Sequence, residues 1–167
     1  MILRVLTMVA GLTGAAGLSQ FPEFSQQYTQ RLGGAVDELS RIVQHFDRDA
    51  AKVGLTREEA LGELRKGSAF GAAHAASMTQ TISRHTRLSA DIAALNGAGP
   101  FMRVKLASHL ADSEIAERAW QSYQPAVPAT FEGAVFAVTG FAAGWGGLSL
   151  LLSILSSVFR RKRRTAA

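Results

Sequence analysis

The run "GAVFAVTGFAAGWGGLSLLLSILSSVFRRKRR", Gly133 to Arg164, decides how the rest of the chain is read. Its first 27 residues, Gly133 to Phe159, carry no charge, and five basic residues follow at once: Arg160, Arg161, Lys162, Arg163 and Arg164. A helix of that length reaches roughly 40 Å, and about 20 apolar residues suffice to cross a bilayer core. Buried core helices are rarely so long and rarely end in a basic block. The run therefore predicts a transmembrane helix, assigned to residues 128–159. Pro125 and Pro128 cannot continue it backwards, and Thr130 is suited to cap it. The tail, residues 160–167, is expected to be cytoplasmic, because moving Lys and Arg through a membrane is costly. Attraction of these five residues to anionic lipid head groups is a second use.

The other end of the chain has the same character. Val5 to Pro22 is a charge-free run of 18 residues preceded by Arg4. One reading is a cleaved signal peptide, with small residues near Ala15 to Gly17 as its cleavage site. The other, preferred because the run exceeds the 7–15 residues usual for a signal core, is an uncleaved span over residues 1–21. Pro22 should kink or end it, with Phe21 and Phe24 at the interface. With Arg4 and the tail both held inside, residues 22–127 form a body on the opposite face, which in a bacterium is the periplasm.

Charge bookkeeping supports this division. From Ser19 to Phe131 there are 12 Lys or Arg and 12 Asp or Glu, so the net charge of +5 comes from Arg4 and the five tail residues, less Glu132. A nucleic-acid binder carries a basic face with reading or stacking residues, and this body carries none. The absence of cysteine excludes disulfides and thiolate chemistry.

The body reads as all-α. Phe24, Tyr28, Leu32, Val36, Leu39, Val43 and Phe46 recur at steps of three and four, an amphipathic helix that Gly54 should stop. Gly33 and Gly34 in its middle suggest a bend or a close helix contact. Thr56 and Glu59 form a capping-box pattern that restarts the helix. From Ser68 the periodicity continues through Phe70, His74, Met78, Ile82, His85, Ile92 and Leu95 until "NGAGP", Asn96 to Pro100, breaks it. Two shorter helices are expected at 101–110 and 113–123, with Asp112 as the cap between them. The fold class is thus a membrane-anchored helical hairpin, bundle or coiled coil with a transmembrane helix at each end. Its apolar positions are rich in Ala, so part of each stripe should be covered by another chain.

No catalytic, cofactor or metal site is expected. His74 and His85 share a helix but lie eleven residues apart, roughly 16 Å, too far to share one ion, and His45 and His109 complete no ligand pair. Asp47 with Asp49, and Glu58 with Glu59, sit among Arg48, Lys52 and Arg57 as solvated helix faces do. The glycines of the spans carry more information. Gly140 and Gly144 make a GxxxG with Gly147 near the same face, and Gly11, Gly14 and Gly17 line the first span with Ala10 and Ala15. Small residues let helices approach closely in lipid, either within one chain or between chains. Trp145 reads as a packing or partner contact.

The stretches "SQFPEFSQQYTQRLGGAVDEL", "GLTREEAL" and "QPAVPATFEGAVFAVTGF" resemble a family of proteobacterial inner-membrane proteins known as a domain of unknown function. The resemblance covers nearly the whole chain. It implies a two-span bacterial membrane protein and brings no activity, cofactor or catalytic residue with it.

The function expected first is a non-catalytic structural or accessory membrane protein. Its partners would be membrane lipids and other copies or other integral membrane proteins, and not nucleic acid. The alternative is a ligand-sensing input module that signals through a partner. The third, an enzyme acting on lipid or cell wall, needs a polar cluster that the sequence does not supply.

Overall fold

The computed structural model describes residues 1–123, 125 and 129–164, with side chains in the last helix described as far as Ser156. Pro128, residues 165–167 and the side chains of the basic block at 160–164 lie outside the described residues. The described part is all-α, with no strand among its residues. In order it forms α1 (Ile2–Ser19), α2 (Phe21–Lys52), α3 (Arg57–Gly67), α4 (Ala69–Leu95), α5 (Pro100–Lys105), a 3-10 turn (Ala107–Leu110), α6 (Ser113–Gln121) and α7 (Phe131–Arg164). The chain divides into two compact units. One is Met1–Ser25 with Tyr123–Ala167, and the other is Gln26–Ser122.

In the first unit α1 packs along α7. Thr130 caps α7 through its hydroxyl, which accepts from the Gly133 N–H at 3.1 Å. The interruption expected at Pro22 falls at Gln20, a single residue that keeps near-helical angles, φ −83° and ψ −13°. Pro22 sits in the first turn of α2, where its missing N–H costs nothing. Phe21 packs on Phe136 with ring centroids 5.3 Å apart, and the Tyr123 hydroxyl donates to Gln20 Oε1 at 2.7 Å.

Two helical stretches, one starting at Ile2 and one spanning Phe131–Ser156, are long and apolar enough to cross a membrane by length and composition. A core helix of a soluble protein would be mostly buried. Only 11 % and 6 % of these apolar windows are. Leu3, Val5, Leu12, Val138, Leu151 and Ile154 all face outward.

In the second unit the helix boundaries follow local chemistry. Gly54 takes φ +76°, a left-handed turn that ends the chain's run through α2. Thr56 then opens α3 with a complete capping box: its side chain accepts from the Glu59 N–H, and Glu59 Oε2 accepts from the Thr56 N–H at 2.8 Å. Arg57 reaches back to α2 and grips Asp47 with two hydrogen bonds of 2.7 and 2.6 Å.

The helix expected to continue past Ser68 does not. Ser68 is extended at φ −132°, ψ 167°, and its hydroxyl accepts from the Gly71 N–H at 3.0 Å to cap α4. The chain folds back, so α3 and α4 pack as a hairpin. Gly71 makes this possible: a Cβ there would lie 2.6 Å from the Leu64 carbonyl oxygen. The turn also rotates the start of α4, so that Gly71 and Ala75 face inward while Phe70 and His74 are exposed, stacked with ring centroids 6.4 Å apart. Leu88 and Leu95 are fully buried further along. On α2 the inward stripe is the one the periodicity predicts, with Tyr28 and Leu32 fully buried and Val43 nearly so. At Gly33 and Gly34 no close contact exists, because an added Cβ at either meets nothing within 4 Å. The single helix expected at 101–110 is split: α5 starts on Pro100 and ends at Lys105, and the 3-10 turn follows.

Candidate functional site

Two arrangements stand out, one in each unit. The first is the crossing of α1 and α7. Four of the six glycines singled out in the sequence meet there. A Cβ on Gly14 would lie 2.2 Å from the Gly140 carbonyl oxygen, and one on Gly140 would lie 2.1 Å from the Gly14 carbonyl oxygen. Gly144 meets the Ala10 carbonyl oxygen at 2.2 Å in the same sense, and Gly11 meets the Phe141 ring at 2.7 Å. No side chain fits at Gly14, Gly140 or Gly144 without moving backbone. The GxxxG face is thus taken up within the chain. Gly17 and Gly147 do not join the crossing, since nothing lies within 4 Å of an added Cβ at either. Gly17 and Gly147 are both exposed on the outward sides of their helices, so sequence spacing alone overstates the contact.

Polar groups on this face are satisfied within their own helix. The Thr7 hydroxyl donates to the Arg4 carbonyl at 3.1 Å, and the Ser19 hydroxyl to the Ala16 carbonyl at 2.9 Å. Arg4 is exposed near the start of α1, and Trp145 is exposed beside Gly144.

The second arrangement is a buried polar node around Asp112, found by no motif. The cap expected at Asp112 is present: Oδ1 accepts from the Ile115 N–H at 3.1 Å. The same carboxylate, only 6 % exposed, also holds Arg84 at 3.3 Å and Arg87 at 3.1 Å. Its backbone N–H donates to the hydroxyl of the fully buried Tyr28 at 3.0 Å, joining α6 to α2 across 84 residues of sequence. Arg84 pairs further with Glu114 at 2.5 Å, and Glu114 with Arg118 at 2.6 Å. Nearby in sequence, His109 Nδ1 lies 2.8 Å from Asp91 Oδ1.

Burial pushes the Asp112 carboxyl up, but the Ile115 N–H and the Arg87 and Arg84 guanidinium groups outweigh it, and the net shift is down. Burial raises the Tyr28 phenol above its usual value. Proton transfer at neutral pH favours a group whose pKa lies near neutrality, and both of these move away from it. The node ties the Asp112 cap of α6 to Tyr28 of α2 and to Arg84 and Arg87 of α4. Beside it lies a cavity of about 440 Å³, of the size that takes a small ligand, lined by Arg31, Glu38, Leu39, Arg84, Glu114 and Arg118 among others.

The four histidines are not brought together. His45 and His74 are exposed, and His85 and His109 half-buried. Among the described residues no group of three or more His, Asp or Glu could hold a metal ion.

The chain belongs to the family described as "Protein of unknown function (DUF2937)", which matches residues 2–161. No curated protein matches the chain. No solved structure matches it either.

Proposed function

We propose that this DUF2937 family member is a non-catalytic, two-pass protein of the bacterial inner membrane that presents its helical body in the periplasm as a structural or accessory subunit. One observation carries the reading. α1 and α7 turn their glycines to each other and their large apolar side chains outward. Water penalises such a pair, and lipid does not. Arg4 at one end of α1 and the basic block at the end of α7 support a cytoplasmic position for both termini by the positive-inside rule. Because the crossing is occupied within the chain, self-assembly or docking to other membrane proteins uses the outer faces of the two helices or the body.

Single cysteines test the topology cleanly in a chain that has none. In intact cells a membrane-impermeant maleimide should label Ser68→Cys and spare Thr165→Cys. The reverse pattern would sink the reading.

A second reading, a ligand-sensing module that signals through a partner, is favoured by the cavity beside Asp112. Arg31 at its edge bonds only to the neutral Ser122 hydroxyl and has no carboxylate partner among the described residues. Saturable binding of small organic anions by the detergent-solubilised chain, lost in Arg31→Gln, would support it.

A further inference from the structure

In the first unit the two helices do not stay in close contact along their whole length. Past the glycine crossing, towards Arg4, large side chains replace small ones, and a groove of about 590 Å³ opens between α1 and α7. Its walls are Leu3, Met8 and Leu152, and Trp145 stands nearest the crossing. Four hydroxyls also line it, and three of them are turned to their own helices. Thr7 donates to the Arg4 carbonyl, Ser149 to the Trp145 carbonyl at 2.6 Å and Ser156 to the Ser153 carbonyl at 2.8 Å. The groove therefore presents a mostly apolar interior. From Trp145 to Ser156 it follows α7 for eleven residues, roughly 16 Å, about half the 30 Å of a bilayer's hydrocarbon core.

One charge lines this groove. Arg4 has no carboxylate partner among the described residues. None is available from these helices: α1 holds no acidic residue, and α7 holds only Glu132, at its far end. An apolar slot with an unneutralised guanidinium among its lining residues is complementary to an acyl chain carrying an anionic phosphate.

We propose that this groove binds one anionic phospholipid, with an acyl chain between α1 and α7 and the phosphate on the Arg4 guanidinium. The proposal rests on the two-pass reading and gives that reading a specific lipid partner.

The full chain, reconstituted in nanodiscs that mix phosphatidylglycerol and phosphatidylcholine of matched acyl chains, is extracted in mild detergent and weighed by native mass spectrometry. One phosphatidylglycerol per chain should be retained, preferred over phosphatidylcholine by about fivefold, the worth of one basic contact. Arg4→Gln should bring that ratio to about one. Replacing the five basic residues at 160–164 by Ser should strip looser phosphatidylglycerol adducts and leave the preference of the single retained lipid unchanged. Ser153→Trp, which fills the groove, should abolish retention of both lipids. Arg4→Gln touches no packed contact, so the test stands even if Ser153→Trp disturbs the helix pair.

Equal retention of the two lipids by the wild type would overturn the proposal. So would a preference that follows the basic block and survives Arg4→Gln. A dimer that Ser153→Trp dissociates would give the groove to a second copy instead. Labelling Ser68→Cys and Thr165→Cys in intact cells with an impermeant maleimide separates the premises. Labels on one side overturn the two-pass reading and this site with it. Labels on opposite sides without a lipid preference overturn only this site.

Discussion

Gly14 and Gly140 face each other across α1 and α7 so closely that a Cβ on either would fall within 2.2 Å of the other's carbonyl oxygen. Contact of backbone with backbone gains dispersion and Cα–H hydrogen bonds. It also settles a question that GxxxG leaves open in sequence. The motif names a contact and not a partner, and here the partner is the same chain's first helix. A second chain cannot use this face while the first helix occupies it.

Gly140→Leu should therefore separate the helix pair. Phe21→Cys with Phe136→Cys gives a reporter, since the native rings lie 5.3 Å apart. A short bis-maleimide should join the two cysteines in the parent and lose most of its yield in Gly140→Leu. Gly17→Leu and Gly147→Leu, where nothing lies within 4 Å, should crosslink like the parent. Equal yields in Gly140→Leu and parent would show that the crossing is not tight.

Asp112→Asn keeps the shape of the node and removes its charge. Loss of the Arg84 and Arg87 pairs from a nearly buried carboxylate should cost about 1–3 kcal/mol at neutral pH. The folded-state pKa of Asp112 lies below its usual 3.8, so its stabilisation is present above that value and is lost as pH falls through the lowered one. The stability gap between wild type and Asp112→Asn should accordingly hold from neutrality down to the usual value and close below it. Urea unfolding in detergent, read from Trp120 fluorescence in a Trp145→Phe background, measures this. A gap that stays constant into strong acid would remove the charge from the account.

Tyr28→Phe tests the link between α2 and α6. It leaves the ring in place and deprives the buried Asp112 N–H of its acceptor, at a cost of about 1–3 kcal/mol. The same urea series reads it. Folded-state Tyr28 resists ionisation, so its contribution should persist below its usual pKa of 10.0 and fade as pH rises through the raised value.

What was legible in the sequence was local. The capping box at Thr56, the caps at Asp112 and Thr130, the stop at Gly54 and the α2 stripe from Tyr28 to Val43 each rest on residues a few positions apart. The break at Ser68 is hidden because Gly67–Ser68 stands where a charged stretch meets an Ala-rich run and the periodicity barely falters across it. Continuing the helix across Ser68 sets the start of α4 one position out of register, with Phe70 and His74 inside and Ala75 passed over. Leu88, which is fully buried, lay between chosen positions. The Tyr28–Asp112 bond spans 84 residues and leaves no spacing to find. Gly33 and Gly34 misled in the other direction, since glycine in a helix signals a close approach only when something approaches.

That last point yields a prediction with opposite signs at two kinds of glycine. At Gly33 and Gly34, inside α2, an added Cβ meets nothing within 4 Å and the backbone is helical. Alanine there removes unfolded-state freedom without a clash, so each of Gly33→Ala and Gly34→Ala should stabilise the body by about 0.5–1 kcal/mol. At Gly71 the added Cβ falls 2.6 Å from the Leu64 carbonyl oxygen, a backbone atom that cannot swing away. Gly71→Ala gains the same helix propensity and must also push α3 off α4. It should destabilise by about 1–3 kcal/mol, the usual cost of overpacking. Urea midpoints measured side by side in one detergent would order the four proteins as Gly34→Ala and Gly33→Ala above wild type, and Gly71→Ala below it. A destabilised Gly33→Ala would mean that a partner chain, absent from the isolated protein's own packing, sits against α2. A stabilised Gly71→Ala would mean that the α3–α4 hairpin is looser than its 2.6 Å approach requires.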